Sequence, residues 1–317
     1  MKFRNRSLAI LLAAILLLTA CGGAPVAQGE RLKVVASTTI VGDVISQVGG
    51  NLIELTVLFP PGADPHTFEP RPQDMAAISE ADVIIINGLG LEEALESALE
   101  ANATGLIVHA SEGIDPLAFE GEENELLAED SGENEGEEHH HEGGDPHTWT
   151  DPNNVIVWTQ NIAAALAEVD PSHSDEYQAN AEAYFTSLGE LDAWIRIQIA
   201  QIPAERRKLV TDHLLYGYFA EEYGLEQVGA LVGSFSTNAS PSAQELAAFE
   251  DLIQAQDIPA IFVGKSVNPA LAEQVAQDTG IKVVSLYTGS LSEPGGEADS
   301  YLKYMRYNVN AIVEALK

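Results

Sequence analysis

Asp82-Val83-Ile84-Ile85-Ile86-Asn87 is an unbroken apolar run closed by a polar residue at each end. A strand with one face in water alternates apolar and polar residues. A continuous β-branched run suits a strand covered on both faces, as in a parallel sheet between layers of helices. The flanking sequence agrees. Pro72 to Ser79 before the run and Leu91 to Ala101 after it carry helical spacing. Arg31 to Thr39, Ile53 to Leu58 and Gly105 to His109 read as further short strands, and Ile40 to Val48 as a helix. Strands alternating with helices predict an α/β layer fold.

The alternation pauses and then restarts. Asp151 to Ala167 reads as a helix, with Asp151 as N-cap and Pro152 in the first turn. Beyond Pro171, Tyr177, Ala181, Tyr184, Leu188, Leu191 and Ile195 recur at spacings of three and four, so a long helix runs to about Ile202. Pro203 ends it. Strands then follow at Lys208 to Thr211, Leu225 to Leu231, Ala260 to Val263 and Lys282 to Tyr287. Between and after them, Leu214 to Tyr223, Ser242 to Ala255, Pro269 to Thr279 and Tyr301 to Leu316 read as helices. The expected fold is therefore α/β, with two βα domains containing parallel sheets and joined by one long rigid helix. The expected boundaries are 31–170, 171–202 for the linking helix, and 203–317.

The start of the chain reads as an export signal over residues 1–20. Lys2, Arg4 and Arg6 precede an apolar core, Leu8 to Leu18, that is too short for a stable membrane span. Leu18-Thr19-Ala20-Cys21 fits a lipoprotein cleavage site, with the only cysteine of the chain becoming the lipid-bearing first residue of a tether over 21–30. The expected location is extracytoplasmic, lipid-anchored to the cell membrane, in the periplasm or on the outer surface. The 15 basic and 49 acidic residues give a net charge of −34, which argues against nucleic acid or an anionic lipid surface as a partner. Over Glu120 to Glu142 the composition turns to ten Glu, one Asp and the triplet His139-His140-His141. Such a segment buries too little apolar surface to fold and is expected to be a mobile loop.

Function is signalled by a repeat. Asp64-Pro65-His66-Thr67 recurs as Asp145-Pro146-His147-Thr148, followed in the two copies by Phe68 and Trp149. Proline restricts the backbone beside each histidine, and imidazole is a common ligand for zinc. A third histidine, His213, follows a predicted strand, where ligand sites of open α/β sheets lie. The three are expected to meet in the cleft between domains. Asp64, Asp145 and Glu69 are expected either to orient imidazoles or to serve simply as turn residues, and His139, His140 and His141 to form either a weaker secondary capture site or a solvated tract. His109 reads as structural and His173 as exposed. Trp149 and Tyr287 belong either to the cleft wall or to the core.

These motifs carry a family resemblance. Pro61-Gly62-Ala63-Asp64-Pro65-His66-Thr67-Phe68-Glu69-Pro70, the second Asp-Pro-His-Thr-Trp-Thr-Asp-Pro, Thr211-Asp212-His213 with Tyr216-Gly217-Tyr218-Phe219, and Leu286-Tyr287-Thr288 with Ser290-Leu291-Ser292 are its marks. The chain resembles the metal-binding subunits of bacterial ABC importers for zinc or manganese, the cluster A-I solute-binding proteins, from about Leu32 to the C-terminus. The resemblance implies a metal in the interdomain cleft on His66, His147 and His213. It also implies delivery to an ABC permease driven by a cytoplasmic ATPase, and no enzymatic activity. The protein is expected to be a monomer. Manganese members usually carry Glu where this chain has His213, and the acidic, His-rich loop marks the zinc branch, so Zn²⁺ is the expected cargo and Mn²⁺ the alternative. Two positions depart from the pattern: Gly289 stands where many relatives place an aspartate ligand, and Gly264 where Glu is common. An aspartate at 289 is expected to raise manganese affinity relative to zinc.

Two other classes compete. Three histidines with an open fourth position also suit a zinc hydrolase, but no motif such as His-Glu-x-x-His accompanies them. A metal-storage or adhesin lipoprotein is the third reading.

Overall fold

Val83–Ile86 forms strand β3, with all four residues buried. The computed structural model describes residues 31–118 and 144–317. The expected signal, Cys21 and its tether, and the acidic segment 120–142 with His139, His140 and His141 lie outside the described residues.

In the N-terminal half β3 pairs in parallel with β1 (Leu32–Ala36) and β4 (Leu106–His109), and β1 pairs with β2 (Ile53–Val57). The sheet order is β2-β1-β3-β4. Its interior strand β3 is buried throughout, while edge strand β4 alternates half-buried and exposed residues. Helices α1 (Thr39–Gly49), α2 (Pro72–Glu80) and α3 (Glu93–Asn102) supply the crossovers. The side chain of Thr38 caps α1 by accepting from Val41 N at 3.1 Å, leaving one fewer unpaired amide in its first turn.

The C-terminal half repeats this order. Strands β5 (Lys208–His213), β6 (Glu226–Val232), β7 (Ala260–Gly264) and β8 (Lys282–Leu286) form a parallel sheet β6-β5-β7-β8. Strand β5 runs two residues past the expected end and closes on His213 itself. The next helix, α6 (Gly217–Tyr223), starts three residues later than the spacing suggests. Leu214 N instead donates to Ser234 O at 2.9 Å, outside any helix.

Helices α4 (Pro152–Val169) and α5 (Ser174–Ile199) lie between the sheets in sequence. Asp151 caps α4 by accepting from Asn153 N, with Pro152 in the first turn, as its sequence predicts. Helix α5 has 26 residues, about 39 Å at 1.5 Å per residue. It buries Tyr177, Ala181, Tyr184, Leu188, Leu191, Ile195 and Ile199, a single stripe. Helices α7 (Ala243–Ala255) and α8 (Ala270–Thr279) complete the second lobe, and α9 (Tyr301–Leu316) returns against α5 and α1. Tyr301 N donates to Asp43 Oδ2 at 2.9 Å across the lobes. The largest apolar cluster runs from Val34 and Ile85 through Trp158 and Leu188 to Phe262 and Ile312, so both lobes and the linking helix share one core. Such sharing resists free hinge motion. Among the described residues, no helix is long and apolar enough to cross a membrane.

Candidate metal centre

The three histidines come from the carboxyl ends of strands in both sheets. His66 lies in the loop after β2, His147 in the segment after β4, and His213 ends β5. One ligand nitrogen from each comes within 4.8 Å of the other two. His66 Nε2 and His147 Nε2 are 3.2 Å apart. Two nitrogens each about 2.05 Å from a tetrahedral ion would be separated by roughly 3.3 Å, so this spacing suits a shared cation. His147 and His213 are buried, and His66 is half-buried. The cavity they enclose offers about 10 Å³ to the centre of a water-sized sphere, with Trp149, Thr237, Thr288 and Gly289 among its walls. That is about the minimum for one water, enough for an ion and too little for an organic substrate.

Each Asp-Pro-His copy uses its aspartate in the same way on the backbone. Asp64 Oδ1 accepts from His66 N at 3.1 Å, and Asp145 Oδ1 from His147 N at 2.9 Å. The proline between them sets the turn. Beyond that the copies diverge. Asp145 Oδ1 also accepts from His147 Nδ1 at 2.7 Å, which leaves Nε2 as the ligand atom. Asp64 Oδ2 instead accepts from Thr237 Oγ1 of the other lobe at 2.6 Å. Glu69 is exposed and lies outside the cluster.

Asp212, the second described carboxylate bonded to a ring nitrogen of the cluster, is absent from the sequence-derived set. Its Oδ1 accepts from His213 N and from His213 Nδ1, both at 2.8 Å, and its Oδ2 accepts from Gly264 N at 2.7 Å. The signal was present in Thr211-Asp212-His213, but an aspartate adjacent to a histidine reaches its ring only when the strand end is shaped for it. Asn87 was also missed. Its Nδ2 donates to Pro146 O at 3.0 Å and so ties the His147 loop to the end of β3. The buried Glu92 carboxylate in turn accepts from Asn87 N at 2.7 Å and Ser37 Oγ at 2.6 Å.

Burial, reinforced by the neighbouring imidazoles, lowers His66 to about 2. The same causes hold His147 well below the ordinary imidazole range. Burial pushes Asp145 up to about 7, even though it accepts from His147 N. Asp212 goes the other way. Burial opposes its charge, but the hydrogen bonds and charge of His213 and the Gly264 amide outweigh it and keep the carboxyl below its usual range. The contrast is consistent with their contacts, since the second oxygen of Asp212 has a backbone donor. His66 and His147 are thus neutral, the form that ligates a metal.

Both departures from the family pattern have a steric counterpart. A Cβ at Gly289 would lie 2.5 Å from Pro65 Cδ and 2.9 Å from Pro65 Cγ. The space a side chain would need is filled by the first Asp-Pro-His loop. A Cβ at Gly264 would overlap Thr288 Oγ1 and sit 3.2 Å from Asp212 Oδ2. Trp149 is both core and cleft wall: its ring is 5.2 Å from that of His147, and its Nε1 donates to Thr288 O at 3.2 Å and Tyr304 OH at 3.1 Å. Tyr287 faces the neighbouring cavity, 3.9 Å under Lys265 Nζ. His109 is exposed at the end of β4. His173 is partly exposed and pairs with Asp170 Oδ2 at 2.6 Å.

The sequence family described as "ZnuA: Zinc-uptake complex component A periplasmic" matches residues 34–315, nearly the whole described unit. This chain belongs to that family. It is similar to "Manganese-binding lipoprotein MntA" of Halalkalibacterium halodurans, 33% identical over 311 residues and 97% of each chain. It is 31% identical to "Manganese ABC transporter substrate-binding lipoprotein PsaA" of Streptococcus pneumoniae over 326 residues, 100% of this chain and 99% of that one. The fold matches the periplasmic zinc-binding protein TroA of Treponema pallidum, with TM-score 0.79, 26% identity, and 90% and 99% of the two chains covered. It also matches a manganese-bound periplasmic metal-binding protein of Candidatus Liberibacter asiaticus, with TM-score 0.76, 27% identity, and 91% and 100% covered. The chain is a cluster A-I metal-binding receptor of an ABC importer, extracytoplasmic and not an enzyme. Two parallel-sheet domains, an interdomain helix and a histidine cluster bridging them are its architecture.

Proposed function

We propose that this receptor binds one zinc ion through Nε2 of His66, His147 and His213 and delivers it to an ABC permease coupled to a cytoplasmic ATPase. The observation that carries the choice of zinc is the donor set. The described ligand cluster is three imidazoles with no carboxylate among them. Imidazole suits zinc, whereas manganese favours oxygen donors. The tight Gly289–Pro65 contact supports the same reading, because it leaves no room for a side-chain oxygen at 289. A lipid on Cys21 anchors the receptor to the membrane, supported by the lipobox spelling and by the lipoprotein names of the relatives.

Manganese is the second reading, and the full-length relatives named for manganese favour it. Competition titration of the metal-stripped protein with zinc and manganese separates the two. Tighter zinc binding that is lost in His66→Ala, His147→Ala and His213→Ala supports the proposal. Tighter manganese binding by the parent protein overturns the zinc reading, and wild-type affinity in all three variants overturns the ligand set.

A further inference from the structure

We infer that residues 234–238 form a strap across the metal cavity, and that Thr237 and Asn238 are positioning residues whose contacts with the His66 loop set the rate of metal release. The inference rests on the proposed ligand set. The strap follows β6 and is fastened at both ends. At one end Ser234 O accepts from Leu214 N, the residue after His213, at 2.9 Å. At the other, Thr237 Oγ1 donates to Asp64 Oδ2 at 2.6 Å and Asn238 Nδ2 donates to His66 O at 3.0 Å. It therefore links the ligand loop of one lobe to the ligand strand of the other. Its middle is braced internally. Ser236 N donates to Ser234 Oγ at 3.1 Å, and Asn238 N donates to Ser236 Oγ at 3.2 Å.

The cavities on either side define what the strap divides. Thr237 lines the small cavity of the three imidazoles. Ser234, Phe235, Ser236 and Asn238 line a larger outer cavity of about 520 Å³. Of the described residues lining the two, only His66 is common to both. His66 is also the least buried of the three histidines. An ion leaving by this route must pass His66, which requires the His66 loop and the strap to separate. The two side-chain bonds that resist this separation come from Thr237 and Asn238. Asp64 ties the pieces together, since its other oxygen holds His66 N.

The strap should act on departure more than on arrival, because its bonds to Asp64 and His66 are made in the closed form. A hydrogen bond to a carboxylate is strong enough that losing it should speed release by about 10-fold. The test uses the zinc-loaded full chain mixed with excess chromogenic chelator in a stopped-flow instrument. Thr237→Val, which keeps the shape and loses the hydroxyl, should release zinc about 10-fold faster, with association unchanged within about twofold. Thr237→Ser should release at the parent rate, a rescue that a merely structural role would not produce. Asn238→Ala, at an exposed position, should also release faster, and it carries the test if Thr237→Val fails to fold. Parent release rates in both Thr237→Val and Asn238→Ala overturn the inference, as does a Thr237→Ser variant as fast as Thr237→Val. His66→Ala run in parallel keeps the failures apart: wild-type affinity there refutes the ligand set, whereas lost affinity with unchanged strap variants refutes only the strap.

Discussion

Adding one methyl group at position 289 is the sharpest test of how the cleft closes. Gly289→Ala places a Cβ 2.5 Å from Pro65 Cδ and 2.9 Å from Pro65 Cγ. Carbon atoms rest at about 3.5–4.0 Å, so Pro65 must retreat by roughly 1 Å. Pro65 precedes His66, and the retreat pulls that imidazole from its place 3.2 Å from His147 Nε2. Overpacking of this kind costs about 1–3 kcal/mol. The strain falls on the arrangement that gathers the three imidazoles and is relieved when the Pro65–His66 loop draws away from Gly289. At about 1.4 kcal/mol per tenfold, affinity should drop roughly 5- to 140-fold. The loss should be the same for zinc and manganese, because a methyl group offers no ligand atom. Gly289→Asp carries the same steric load plus a hard oxygen, so the comparison with Gly289→Ala isolates the carboxylate. Relative to alanine, aspartate should recover manganese binding more than zinc. Calorimetric titration of both variants with both metals reads these effects. Parent-like affinity in Gly289→Ala for either metal would refute the closure argument.

Two further outcomes follow from the electrostatics. Burial lowers His66 to about 2 in the folded protein, against about 6.5 in the unfolded chain. A depressed folded value means that this histidine's contribution to stability is present above pH ~6.5 and is lost as pH falls below it, by about 1.4 kcal/mol per unit. Thermal melts of the metal-free protein from pH 7 to 4 should decline more steeply for the parent than for His66→Ala, and identical slopes would contradict the assignment. Asp145, raised to about 7 by burial, works in the opposite sense, so the difference between the two proteins is the quantity to read. Asp212→Asn should keep the fold but weaken metal affinity about 10- to 100-fold, because it removes the charge that orients His213 Nδ1; unchanged affinity in an equilibrium titration would show that geometry alone suffices.

The sequence by itself made legible most of the elements and the three histidines that come together. The apolar run at Val83–Ile86 and the stripe from Tyr177 to Ile199 are local patterns whose period specifies burial, and they appear as a buried strand and a one-faced helix. His66 and His147 were legible because a preceding proline and a nearby aspartate mark a built turn, and His213 because it follows a predicted strand. What lay beyond was decided by tertiary packing. Asp64 and Asp145 occupy identical motifs, yet one reaches across to Thr237 and the other turns to its own imidazole. Nothing within the shared Asp-Pro-His-Thr string distinguishes them; Asp64 meets its partner in the strap, 173 residues away in sequence. Asp212 became an orienting group only because β5 continues through His213, and Glu92 meets Ser37, 55 residues away, only because β1 and β3 lie side by side. Gly289 read as a missing ligand in one dimension; in three it is the surface against which Pro65 closes. Patterns of local period survive in the chain order. Contacts between residues far apart in sequence exist only once the two sheets are held by their shared core.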